Sequence, residues 1–145
     1  MKTRKHLKIS SIVVLVMAAM SLLNLVSELA FGELNNVQGA DGSMVLITKI
    51  VLLAVSLVLL FPQIYVGLKG LKMAKKPDSS KAHIVWATII LAIAILNLID
   101  PILGFLNKQD ITVTLGALFS VLLEIAIYFD YIKYAKAVAK ETDNE

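Results

Sequence analysis

Cysteine is missing from this chain, which removes disulfides, thiolate nucleophiles, Cys-ligated zinc and iron–sulfur clusters together. Histidine is nearly as scarce. His6 and His83 are the only two, both near lysines, so a histidine-based metal centre would need carboxylates brought in from elsewhere. Arginine occurs once, at Arg4, against thirteen lysines, a ratio that points to an A/T-rich bacterial genome. No basic stripe interleaved with aromatics is present, so nucleic acid is not an expected partner. There is no HExxH, no Gly-rich phosphate loop and no nucleophile–His–carboxylate set. The expectation is therefore a non-enzyme with no catalytic residue, cofactor or metal ligand.

What the chain does have is apolar length. Of its 145 residues 58% are hydrophobic and the mean hydropathy is +0.80, against roughly 45–50% apolar residues in soluble domains. Four apolar runs stand out, at 9–31, 44–68, 82–106 and 111–134. Each has the roughly 20 residues needed to cross about 30 Å of hydrocarbon. The first is too long for the core of a signal peptide, about 7–15 residues, and is read as a retained helix. Backbone groups in lipid must be satisfied within the segment, which makes helices the default, and the strict alternation of a membrane barrel is absent. The fold class expected is all-α: a polytopic membrane protein with four transmembrane helices in one antiparallel bundle.

Between the second and third runs lies a basic connector, 69–81, carrying Lys69, Lys72, Lys75, Lys76 and Lys81. The N-terminus adds Lys2, Arg4, Lys5 and Lys8, and the end of the fourth run and the polar tail 135–145 add Lys133, Lys136 and Lys140. The other two connections hold only Lys108, with Lys49 at the edge of the second run, and residues 32–43 are turn-rich. The positive-inside rule then places both termini and the connector in the cytoplasm of a multi-pass protein of the cell membrane. The connector lysines are expected to contact anionic headgroups, each contributing about 1 kcal/mol. Trp86, Tyr65, Tyr128, Tyr131 and Tyr134 fall at the same ends, where interfacial rings are favoured. Pro77-Asp-Ser-Ser80 is expected to end the second helix, with Ser79 or Ser80 capping the third and His83 in its first turn.

Two prolines lie inside the runs. Pro62 would free the Val58 carbonyl and kink the second helix, and Pro101 would free that of Asn97. Leu23-Asn-Leu-Val-Ser-Glu28 resembles Leu96-Asn-Leu-Ile-Asp-Pro101, and Lys69, Lys72 and Lys76 match Lys133, Lys136 and Lys140 at an offset of 64. Two parallel-repeated helical hairpins would produce both similarities, as would chance likeness of lysine-ended apolar helices.

Polar residues at membrane depth need a partner or a purpose. Asn24, Gln63, Asn97 and Glu124 are expected to meet in a buried polar cluster. Glu124 continues a stripe of Thr112, Gly116 and Ser120 toward Tyr128, spaced to share one face and, with its small residues, to turn into the bundle. Glu28, Lys49 and Asp100 form a second, outer-face charge cluster, and Asp130 is matched with Lys69 or Lys133. Three functions fit these features. The first is a structural or accessory partner in a membrane complex, alone or as a homo-oligomer. The second is a proton- or cation-coupled transporter or channel subunit, oligomeric and centred on Glu124. The third is a lipid-handling enzyme or sensor using His83 and the inner aromatics.

Overall fold

The computed structural model describes residues 2–31 and 42–144, and all of its regular structure is helical. The helices are α1 (Lys2–Phe31), α2 (Gly42–Lys75), α3 (Ala82–Leu96), α4 (Ile99–Leu106) and α5 (Ile111–Asp143). With α3 and α4 taken as one interrupted segment, four segments are long and apolar enough to cross a membrane. Of the turn-rich run expected at 32–43, residues 32–41 lie outside the described residues, and Gly42 and Ser43 open α2.

Helix extends beyond the apolar runs at both termini. The basic head is the start of α1, and the expected polar tail continues α5 to Asp143. Ala135, Val138 and Ala139 in that tail are buried, at spacings of three and four that put them on one helix face. Alanines, Lys140 and Glu141 are good helix formers, so the segment needs no hydrocarbon to stay helical.

The third span is interrupted. α3 stops at Leu96, Asn97 and Leu98 form a turn, and α4 restarts at Ile99 with Pro101 as its third residue. Pro101 has no N–H for the Asn97 carbonyl, and a proline ring clashes with the carbonyl four residues back. The result is a break two residues long, where a loosened but continuous helix was expected. α2, by contrast, is helical throughout, Pro62 included. α4 ends in a tight turn with Lys108 in the left-handed region at φ 54°. The Gln109 amide donates to the Gly104 carbonyl and the Lys108 amide to that of Phe105, the paired bonds of a Schellman motif. Asp110 then caps α5, accepting from the amides of Thr112 (2.8 Å) and Val113 (3.4 Å).

The core lies almost entirely at one end of the bundle. Leu7 and Val14 of α1, Val66 and Met73 of α2, Ile84, Ala87 and Ile90 of α3, and Tyr128, Tyr131, Ala135, Val138 and Ala139 of α5 form one buried cluster. These residues flank the lysine-rich segments, and we call this the basic end. Two glycines let the helices close there. A Cβ on Gly67 would sit 2.6 Å from the Leu15 side chain, and one on Gly70 would strike the Ser11 hydroxyl and come within 2.6 Å of the Tyr131 ring. At the opposite end Leu22, Leu23 and Val26 of α1, Leu46 and Ile47 of α2, and Leu115 and Phe119 of α5 are all exposed.

Candidate functional site

The basic end is tied together by a buried polar chain. Tyr131, fully buried on α5, places its hydroxyl 2.8 Å from the Val66 carbonyl of α2. His83 of α3, also fully buried, places Nδ1 2.7 Å from the same hydroxyl and Nε2 3.1 Å from the Ser80 carbonyl. The two rings meet edge-on with centroids 5.9 Å apart. Which group donates between Tyr131 and His83 follows the imidazole tautomer. With its proton on Nε2 the ring donates to the Ser80 carbonyl and can accept from Tyr131 at Nδ1; with its proton on Nδ1 it donates to the tyrosine oxygen. Ser11 completes the hub by donating to the Leu7 carbonyl at 2.7 Å, which keeps its buried hydroxyl satisfied beside Gly70.

Several side chains thus sit elsewhere than their sequence context suggests. Tyr128 and Tyr131 are core residues and not interfacial rings: both are fully buried, and Tyr131 fills the space that Gly70 leaves open. Tyr65 and Trp86 remain exposed, as an interface would have them. Neither Ser79 nor Ser80 caps α3. Lys81 occupies the cap position without a side-chain bond, and the Ser80 carbonyl is taken up by His83. Lys69 pairs with Asp78 at 2.9 Å and not with Asp130. Asp78 also accepts from the Ser80 amide at 2.9 Å, folding the connector back on α2. The Lys69 ammonium, followed by that amide, holds the Asp78 carboxyl below the ordinary carboxylate range. Lys72, Lys75, Lys76 and Lys81 are exposed. The terminal segments join the same assembly through Arg4–Glu141 (3.7 Å), Lys81–Asp143 (4.0 Å) and a His6–Tyr134 stack at 4.9 Å.

Away from the hub, α1 and α2 part to leave a cleft of about 430 Å³. Its apolar wall is Leu25, Leu52, Leu59 and Leu60; its polar wall is Ser21, Asn24 and Glu28 from α1 with Ser56 and Gln63 from α2. The spacing 21, 24, 28 places all three α1 groups on one face, and 56 and 63 stand two turns apart on α2. At 1.5 Å per residue, Asn24 lies about 10 Å inside the Phe31 end of its helix. Two amides, two hydroxyls and a carboxylate offer hydrogen bonds of both polarities.

Of the four residues expected to form one polar cluster, Asn24 and Gln63 line this cleft, whereas Asn97 and Glu124 do not. Asn97 is exposed at the α3–α4 break, where its backbone amide ends α3. Glu124 is half-buried on α5, one turn before Tyr128, whose buried hydroxyl has no hydrogen-bond partner among the described residues. The stripe leading to Glu124 does not turn into the bundle: Thr112, Gly116 and Ser120 are exposed, and a Cβ on Gly116 would meet nothing within 4 Å. Of the outer charge cluster, Glu28 lines the cleft, Lys49 is half-buried on α2, and Asp100 is exposed in the first turn of α4. Among the described residues no group of three or more His, Cys, Asp or Glu side chains could hold a metal ion.

Sequence reasoning passed over the hub because each member looks ordinary alone. The signal available was the pair Gly67 and Gly70 in α2, together with the spacing 128, 131, 135, 138 in α5, a helix face ready to meet a glycine groove. Compared with protein-family models, curated proteins and solved structures, the chain matches none.

Proposed function

We propose that this chain is an accessory subunit of a membrane complex: an antiparallel bundle in the cell membrane, both termini cytoplasmic, whose loosely closed half receives a helix of a partner protein or of a second copy. The observation that carries this reading is the cleft between α1 and α2, lined by Ser21, Asn24, Glu28, Ser56 and Gln63 within two segments long and apolar enough to cross a membrane. Polar side chains facing hydrocarbon are costly, and a helix seated in the cleft would both satisfy them and cover the leucine wall. The exposed Thr112, Gly116 and Ser120 on α5 favour close helix approach at a second face of the same half. The packed basic end serves as the frame, held at the headgroups by its exposed lysines. Contacts between the start of α1 and the end of α5, and those that join Val66 late in α2 and His83 early in α3 to Tyr131 late in α5, support the antiparallel arrangement.

A chain without cysteine suits a direct test. Single cysteines at Asn24 and Ser56, and at Val16 as an exposed apolar control, are introduced into the full chain and crosslinked in native membranes. Adducts of defined mass from the two cleft positions and none from Val16 are expected. Adducts from none of the three, or equally from all, would defeat the reading.

A second reading keeps Glu124 as a proton- or cation-binding carboxylate of an oligomeric transporter. It is favoured by the placement of this half-buried acid one turn from the Tyr128 hydroxyl, which has no partner among the described residues. Under it, Glu124→Gln abolishes pH-dependent flux in proteoliposomes while assembly persists. Under the accessory reading the same variant behaves as the parent.

A further inference from the structure

At the basic end, on the side formed by α3 and α5, a groove of about 520 Å³ lies outside the hub. Lys81 at the start of α3 and Lys136, Lys140 and Asp143 on the last turns of α5 form its rim, and Ile84 and Val85 contribute apolar surface. Three ammonium groups against one carboxylate leave the rim with a formal charge of +2. Asp143 stands 4.0 Å from Lys81, at the limit of an ion pair, and both side chains are about half or more exposed. The rim is therefore only partly neutralised from within.

The geometry points to this groove as a binding site for the headgroup of an anionic phospholipid, with an acyl chain running along α3. Two features single out a lipid over a free phosphate compound. The groove is amphipathic, with lysines at the rim and aliphatic surface beneath. It is also continuous with an apolar track, since Val85, Ile89 and Ile93 are all exposed and follow one another at spacing four on a single face of α3. That track rises about 12 Å from the groove, at 1.5 Å per residue. Lysine stems can lie along such surface while their ammonium groups reach the headgroup level. The volume falls within the roughly 300–1,000 Å³ of small-molecule sites. The diffuse attraction expected of the connector lysines is a different matter: Lys69 is occupied by Asp78, whereas Lys136 and Lys140 come from α5. The inference does not depend on the partner helix proposed above, because the groove and the α1–α2 cleft share no residue.

The test uses the full chain in neutral detergent, delipidated and titrated with phosphatidylglycerol, phosphatidylcholine or water-soluble glycerol phosphate, with bound lipid counted by native mass spectrometry. One tightly retained phosphatidylglycerol per chain is expected, with phosphatidylcholine retained far less. Lys81→Gln/Lys136→Gln/Lys140→Gln should weaken retention roughly fivefold per lysine, on the order of 100-fold in all. Lys2→Gln/Lys5→Gln/Lys8→Gln, which removes the same charge from exposed positions on α1, should leave the single tight lipid in place. Val85→Trp, at an exposed position that leaves the core intact, should displace the lipid without changing charge. Equal loss in both triple variants would show diffuse attraction and overturn the site. Competition by glycerol phosphate as strong as by the lipid, or full retention in Val85→Trp, would overturn the lipid assignment.

Discussion

The two ends of the bundle are built from the same kinds of helix and reach opposite outcomes. At the basic end α1, α2, α3 and α5 close over fully buried residues that include Tyr131, His83 and Ser11. The Tyr131 hydroxyl meets the Val66 carbonyl of α2 and His83 of α3, and Ser11 bonds the Leu7 carbonyl of its own helix. At the other end leucine, isoleucine and phenylalanine side chains stay exposed, and Asn24 and Glu28 line an open cleft. Hydrophobicity does not separate the two ends, since both are apolar. Between helices in lipid there is little hydrophobic drive to pack, and association depends on close approach and hydrogen bonds. Gly67 and Gly70 supply close approach at one end, with Tyr131 and His83 supplying the bonds. Gly116 at the other end faces nothing.

The contrast is most directly broken at Tyr131. Tyr131→Ala should destabilise the protein by about 3–5 kcal/mol, because it empties a buried aromatic site and removes the Nδ1 partner of buried His83. Phe119→Ala, at a residue 69% exposed, should stay within about 0.5 kcal/mol. Reversible unfolding in mixed micelles measures both, and similar losses would mean that the ends do not differ as described.

The glycines come next in size. Gly70→Ala should cost about 1–3 kcal/mol, since the added methyl strikes the Ser11 hydroxyl and the Tyr131 ring. Gly116→Ala meets open space and should be neutral or stabilising by up to about 1 kcal/mol through helix propensity. Loss of stability in Gly116→Ala would instead reveal a helix already seated on that face, which would sharpen the accessory reading.

Smaller effects belong to the connections. Lys108→Gly should stabilise the α4–α5 turn by about 1 kcal/mol, because glycine enters the left-handed region without the Cβ penalty. Asp78→Asn should cost at most about 1 kcal/mol, since the Lys69 pair is partly exposed and screened. The Asp78 carboxyl is depressed in the folded chain, so its contribution is complete above the unfolded carboxylate pKa of about 3.9. It disappears as pH falls through the lower folded value. The protection of the Ser80 amide against hydrogen exchange, taken relative to the intrinsic rate at each pH, should therefore fall below about pH 4 in the parent and be lowered at neutral pH in Asp78→Asn.

Much of the fold was legible because it depends on local chemistry. Four runs of apolar residues become four segments of spanning length, and the Asn107–Asp110 turn falls between the last two. Pro101 pointed to a freed Asn97 carbonyl in the third span, and the structure carries this further, to a break between Leu96 and Ile99. The candidate site was half legible. Asn24 and Gln63 line the same cleft, but nothing local could show that Glu124 does not. The tyrosines at 128 and 131 suit an interface as well as a core, and only the neighbour opposite decides between them.

By itself, then, the sequence determined helical spans, their number and the concentration of lysine at one end, because backbone satisfaction in hydrocarbon and charge at its boundary act residue by residue. Tertiary structure decided which end closes, which polar groups pair, and where clefts remain between the helices. Those outcomes turn on close approach between helices, such as the space that a missing Cβ at Gly70 leaves for the Tyr131 ring.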